Sequence, residues 1–256
     1  MTNAPLLSVQ DVSLSFGGIA ALREVSFDVP ASAVTGLIGP NGAGKTSLFN
    51  CLSGLYTPQS GRIALDGVDL VGVPAARRAA IGMARTFQNT ALFESLSVID
   101  NVKLGADASH APSLLSTLFA SRRSRAQERD VEATALEALE WVGIGKIADA
   151  PIGQLTFATR KQVELARAVA SRPKVIMLDE PAGGLNHEAV QVLGALIRRL
   201  VDAKGITVLL IEHHMNLVMD VSQHVVVLNF GTKICEGAPC RVRRDPGVVQ
   251  AYLGGA

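Results

Sequence analysis

The residues Gly39, Pro40, Asn41, Gly42, Ala43, Gly44, Lys45 and Thr46, with Ser47 behind them, have the types and spacing needed to hold a phosphate. They fit the pattern GxxxxGK[ST] at every fixed position. Glycines let the backbone curl so that successive N–H groups face phosphate oxygens, and a helix N-terminus behind the loop adds positive potential. In such a loop Lys45 neutralises the β- and γ-phosphates and the Thr46 hydroxyl ligates Mg2+. That chemistry needs a second oxygen ligand near the metal. Asp179 and Glu180 follow the apolar run Val175, Ile176, Met177, Leu178. A buried strand delivers Asp179 to the edge where the phosphates lie, to hold Mg2+ through water, and places Glu180 to polarise the attacking water. Two acids after a strand also suit a solvated turn; the phosphate loop decides between the readings.

The elements that position these groups surround them. Residues 34–38 form an apolar strand running into the loop, and residues 45–55 carry Leu48, Phe49, Leu52 and Leu55 at helical spacing. Upstream, residues 7–9, 12–16 and 25–29 are β-branched or alternating, broken by Gly17, Gly18 and Pro30. Residues 61–65 read as a further strand closed by an Asp66-Gly67 turn. The middle turns helical, with Val131, Ala135, Ala138, Leu139 and Val142 on one face of residues 128–142 and Gly143 as a stop. A helix over 160–170 then precedes the strand 175–178. A second helix, carrying Leu193, Leu196, Ile197 and Leu200, precedes the strand 206–211, and 225–228 is one more strand. Apolar strands alternating with helices indicate a largely parallel sheet covered on both faces. No internal repeat appears, so the pattern reads as one catalytic unit with a helical insertion.

Composition narrows the classes further. The chain has 256 residues, 48% hydrophobic and 18% charged, which excludes a disordered protein. With 24 Lys+Arg against 23 Asp+Glu, the net charge of +1 lacks the basic balance expected of a nucleic-acid binder. The mean hydropathy of +0.29 is high, yet the longest apolar runs, such as 175–178 and 208–211, are strand-length. A membrane span needs about 20 apolar residues. The apolar excess is therefore expected in a core and in protein interfaces. The first residues lack the basic and apolar regions of a signal peptide, and Cys51, Cys235 and Cys240 form no CxxC pair. Free, buried thiols in a cytoplasmic protein are the expectation.

With these motifs in place, the sequence resembles the ATP-binding subunit of ABC transporters over nearly its whole length. The resemblance implies an α/β fold: a P-loop NTPase (ABC ATPase) core with an N-terminal antiparallel β subdomain and an inserted α-helical subdomain. Within a single domain over 1–256, residues 1–87 and 166–256 would form the core and 88–165 the insertion. ATP and Mg2+ are the implied ligands. Phe16 stands where an aromatic ring stacks on adenine, in place of the usual Tyr. Gln88, within Arg85, Thr86, Phe87, Gln88 and Asn89, matches the glutamine that senses the γ-phosphate through Mg2+ and couples to the membrane subunit. Gly183, Gly184, Leu185 and Asn186 resemble the D-loop, and His213 matches the switch histidine at the γ-phosphate.

One segment departs from the family. Its signature, Leu-Ser-Gly-Gly-Gln, is here Leu155, Thr156, Phe157, Ala158 and Thr159, followed by a well-matched 160–169. In the family this segment opens a helix that clamps the γ-phosphate bound to the partner subunit. Thr156 keeps the hydroxyl, Ala158 adds a Cβ where glycine lets backbone approach phosphate, and Thr159 lacks the Gln amide. A slower but functional clamp is the expectation.

The resemblance also implies a head-to-tail pair of ATPase subunits sandwiching two ATP. Residues 85–89, 178–186, 207–213, 226–231 and 244–254, and the extended segment 105–128, are similar to the larger ATPase subunit of branched-chain amino acid importers. His214 stands where that subunit often has Asp. The implied partners are a second ATPase subunit, identical or paralogous, two membrane permease subunits and, indirectly, a solute-binding protein; no nucleic acid is expected. The implied location is cytoplasmic, peripheral on the inner face of the cell membrane, docked through the insertion around 88–141. The alternatives are a soluble ABC ATPase acting on nucleic acid or ribosomes and a regulatory ABC protein with impaired turnover. The first usually fuses two cassettes or carries long coiled-coil insertions, which this chain lacks. Intact Lys45, Asp179, Glu180 and His213 oppose the second. No Asn-Lys-x-Asp guanine-reading motif is present.

Overall fold

A computed structural model describes residues 5–86, 92–108 and 125–253; Gln88 and residues 109–124 of the extended segment lie outside the described residues. In chain order the strands are β1 (Leu7–Phe16), β2 (Ile19–Val29), β3 (Val34–Ile38), β4 (Ser60–Leu65), β5 (Val68–Asp69), β6 (Met83–Arg85), β7 (Val175–Asp179), β8 (Thr207–Ile211), β9 (His224–Asn229) and β10 (Thr232–Gly237). They form an antiparallel sheet, β2-β1-β4-β5, and a larger sheet, β10-β9-β3-β8-β7-β6. In the larger sheet β9, β3, β8, β7 and β6 are parallel and β10 closes one edge antiparallel. The α/β class with an antiparallel β portion is thus as expected.

The central strands are apolar on both faces because both faces are covered, and the pleat divides their side chains. Leu37, Met177, Leu209, Ile211, Val226 and Leu228 point to a core shared with the antiparallel sheet and with the helix Lys45–Ser53. Ile38, Ile176, Leu178, Val208, Leu210, Val225 and Val227 point to the opposite core. There the helices Val98–Ala108, Arg125–Val142 and Phe157–Ala170 contribute Val102, Ala106, Ala135, Leu139, Val163 and Ala166. Burying each Leu, Ile or Val contributes about 1.5–3 kcal/mol. These two cores hold much of the apolar excess. Among the described residues no helix is long and apolar enough to cross a membrane.

Several expectations are corrected. Residues 7–9 and 12–16 belong to one strand, interrupted by a bulge where Asp11 takes φ +49°, so its alternation breaks without the strand ending. The signature helix begins at Phe157 instead of 160, because Thr156 caps it before the apolar periodicity starts at Val163. The loop helix ends at Ser53 instead of 55, stopped by left-handed Gly54. The three cysteines are free, but only Cys51 is buried, with its thiol pushed up to about 11 by that burial; Cys240 is exposed.

Candidate active site

Parallel pairing brings the carboxyl ends of β3, β6, β7 and β8 to one edge, where open α/β sheets bind ligands. Register is explicit: Asp179 lies beside Ile211, and Ile211 beside Leu37. The loop after β3, Asp179 at the end of β7 with Glu180 next to it, and His213 after β8 therefore converge.

Gly39 leaves β3 at φ +153°, and a Cβ there would sit 2.1 Å from the Leu228 carbonyl oxygen, so only glycine fits. The loop closes on Gly44, which precedes the helix Lys45–Ser53; no side chain caps that N-terminus and no acid occupies its first turn. Its first N–H groups are thus left for an anion. The Lys45 ammonium is buried and donates to the carbonyls of Gly39 at 2.7 Å and Pro40 at 2.9 Å. Burial lowers its pKa, while Glu180 and then Asp179 pull it back up. An open cleft of about 540 Å³ is lined by Ala21, Asn41, Gly42, Ala43, Gly44, Lys45, Thr46, Ser47, Glu180 and His213.

Glu180 holds a left-handed φ of +48°, fixed by its N–H donating to the Ile211 carbonyl at 2.9 Å. That backbone aims its carboxylate at His213, whose Nε2 donates to Glu180 Oε1 at 2.5 Å in the tautomer this contact selects. A carboxylate oriented by an imidazole in the cleft beside the loop 41–47 is equipped to accept a proton from water. Asp179 Oδ2 accepts from Arg85 at 2.7 Å in a buried ion pair. Among the described residues there is no cluster of three His, Cys, Asp or Glu able to hold a metal. The oxygen donors of Thr46 and Asp179 instead fit Mg2+, which keeps waters and takes its remaining ligands from phosphates.

Not every anticipated residue converges. Phe16 is not among the cleft-lining residues; it is half exposed at the end of β1, edge-on to Tyr56 at 5.2 Å. Thr156 accepts from the Thr159 N–H at 3.2 Å, and the two hydroxyls meet at 2.8 Å, so the altered signature forms a sound helix cap. Neither Thr156 nor Ala158 lines the cleft of its own chain. Gln88 falls outside the described residues.

Three residues of the site had no role in the sequence reading. Ala21 lines the cleft from β2. Glu212 is 1% exposed, and its carboxylate accepts from the N–H of Ala182 at 2.6 Å on Oε1, and of His213 at 2.9 Å and His214 at 3.2 Å on Oε2. It ties the segment after Glu180 to His213 and His214. An acid directly after the apolar run 208–211 was the available signal, since a buried carboxylate must be hydrogen-bonded. Arg85 is the third; the sequence names it only as the first residue of the segment 85–89, with no role of its own.

Comparisons with known proteins agree on one family. A family model described as ABC transporter matches residues 22–183. The chain is 40% identical over 252 residues to the high-affinity branched-chain amino acid transport ATP-binding protein BraF of Pseudomonas aeruginosa, covering 98% of this chain and 99% of BraF. It is 39% identical over 255 residues to LivG of Escherichia coli K12, a protein named for the same transport, with 98% and 99% covered. Among solved structures it is similar to the ADP conformation of MJ1267, an ATP-binding cassette of an ABC transporter. The TM-score there is 0.84 at 31% identity, covering 98% of this chain and all of that one. A nucleotide-free ATP-binding cassette matches with TM-score 0.82 at 30% identity, covering 97% and 99%.

Proposed function

The chain belongs to the ABC transporter family as an ATP-binding, ATP-hydrolysing component, and on that premise we propose that it energises an importer of branched-chain amino acids. One observation carries the choice of solute: near-complete two-way coverage with relatives named for that transport. The proposal includes a second ATPase subunit closing over two ATP, two membrane permease subunits fed by a solute-binding protein, and attachment to the inner face of the membrane. It also includes the division into a core, 1–87 and 166–256, and a helical subdomain, 88–165.

The chemistry is positioning plus electrostatics. Lys45 and the N–H groups of the loop would hold the phosphates, because an anion is a stronger acceptor than the carbonyls of Gly39 and Pro40. Thr46 and Asp179 would hold Mg2+, with Gln88 beside it, and the ion supplies charge neutralisation at the γ-phosphate. Glu180 accepts the proton of the attacking water while His213 keeps its carboxylate oriented. Phe16 would stack on adenine, with Tyr56 bracing its edge.

A groove between β6, the helix Val98–Ala108 and the signature helix exposes Phe93, Leu104 and Leu55. Arg85, Thr86 and Phe93, which flank Gln88 in the sequence, line it, and that supports it as the seat of a permease subunit. The test is uptake of radiolabelled leucine in a strain lacking this chain. Uptake should be lost and restored by the parent chain, and unchanged uptake would refute the solute assignment. The signature departure makes its own prediction. Ala158→Gly in the assembled transporter should raise ATP turnover severalfold by readmitting close backbone approach; unchanged or lower turnover would count against a weakened clamp.

A further inference from the structure

Arg85 ends β6, paired beside Met177 two residues before Asp179. Its guanidinium makes contacts that converge from two elements. One nitrogen donates to Asp179 Oδ2 at 2.7 Å. Another donates to Asn50 Oδ1 at 2.8 Å and Ser53 Oγ at 2.7 Å. The charged carbon lies 5.6 Å from the centroid of the Phe49 ring. The Arg85 and Asp179 side chains are only 9% and 6% exposed. Phe49, Asn50 and Ser53 all belong to the helix Lys45–Ser53, whose first turn carries Thr46. A single planar fork therefore connects the strand bearing Asp179 to the helix bearing Thr46, the two protein oxygens suited to the metal.

This geometry points to Arg85 as a positioning residue that sets the spacing and orientation of Asp179 relative to Thr46, and through them the metal affinity of the nucleotide-loaded site. The inference rests on the ATPase reading above and deepens it. A fold-holding role alone explains the arrangement poorly, because a buried ion pair is often matched or bettered in stability by an apolar pair of similar volume. A purely electrostatic role has the opposite sign: a cation beside Asp179 weakens attraction for a second cation, so charge alone would make Arg85 a hindrance to the metal. What guanidinium adds over ammonium is the rigid fork that reaches Asp179, Asn50 and Ser53 at once.

Arg85→Lys is the informative variant, because it keeps the charge and removes the fork. Two quantities are read on the full chain. One is the affinity of the protein saturated with a non-hydrolysable ATP analogue for Mn2+, followed by loss of the free-ion electron paramagnetic resonance signal. The other is affinity for the same analogue in EDTA. Arg85→Lys is expected to weaken Mn2+ by about tenfold, the usual scale for losing a partner of a metal ligand, with analogue affinity in EDTA within about twofold of the parent. Should Arg85→Lys fold poorly, Asn50→Ala, which loosens the fork and spares the ion pair, should show the same split with a smaller loss of Mn2+ affinity than about tenfold. Equal Mn2+ affinity in parent and a folded variant overturns the inference. So does equal loss of Mn2+ and of analogue in EDTA, which would mark a merely structural role. Tighter Mn2+ binding by Arg85→Gln with Arg85→Lys unchanged overturns it too, in favour of charge. A parent chain that binds no analogue would overturn the ATPase reading itself, which separates the two failures.

Discussion

Glu180→Gln should bind ATP like the parent and hydrolyse it about 10²–10⁴-fold more slowly, the range supplied by a positioned general base. The substitution is nearly isosteric, so the conditions that place the side chain survive. The left-handed backbone at φ +48° is held by the bond from the residue's own N–H to Ile211, which Gln retains. An amide oxygen still accepts from His213 Nε2, as the carboxylate does at 2.5 Å. What disappears is the ability to take a proton from water, and the amide cannot acquire it from any neighbour. Affinity and turnover should therefore separate: KM for ATP near the parental value, kcat collapsed. If two subunits close over two ATP, the variant should also accumulate as an ATP-bound dimer by size-exclusion chromatography, since the step that reopens it is blocked. A variant that turns over ATP at the parental rate would remove Glu180 from the central role.

The contrast between this residue and Arg85 explains how much of the site is legible in a sequence. The phosphate loop and the Asp179-Glu180 pair are local: a strand, a turn and a helix start specify them within a few residues, and their geometry follows from chain direction alone. His213 is nearly as local, one residue beyond the buried Glu212. Arg85 and Asp179 are 94 residues apart, and the three-residue strand that presents Arg85 is too short to show alternation. Only the pairing of β6 with β7 creates that contact. The same holds for the bulge at Asp11, which Ser26 from the neighbouring strand stabilises by donating to Asp11 Oδ1 and accepting from its N–H. The alternation of β1 is thus broken where a tertiary partner, instead of local propensity, sets the backbone. Phe16, whose position in the chain resembles an adenine-stacking residue, meets Tyr56 at the end of β1, outside the residues lining the phosphate-loop cleft.

Arg78→Met should destabilise the protein by about 4 kcal/mol, because the guanidinium of Arg78 supplies donors that no apolar side chain can replace. The residue is 3% exposed. It donates to the carbonyls of Val73 at 2.9 Å, Cys51 at 2.8 Å, Leu52 at 2.5 Å and Leu70 at 2.6 Å. Cys51 and Leu52 belong to the last turn of the helix that begins at Lys45, so Arg78 satisfies the Leu52 carbonyl, adds a second donor to the Cys51 carbonyl that Gly54 N–H already reaches at 3.2 Å, and complements the negative end of the helix dipole. Gly54 makes the approach possible: a Cβ there would sit 2.7 Å from Arg78 Nε. Burial lowers the arginine's pKa, but a guanidinium remains protonated, and a charge held by carbonyls alone is what the fold requires here. Methionine would fill the space and take this donor from the Val73 and Leu52 carbonyls at about 1–3 kcal/mol each, reduced where water enters, while Cys51 and Leu70 keep the N–H groups of Gly54 and Val73. At about 2–4 °C per kcal/mol for a chain of this size, the melting temperature should fall by about 8–15 °C. Arg78→Lys should fall between the two, since one ammonium cannot span acceptors spread around a fork. Well below the new melting temperature, ATP affinity should stay near the parental value, because the phosphate-facing end of the helix is the opposite one. A melting temperature within about 2 °C of the parent would show that relaxed carbonyls and water replace the cradle at no net cost.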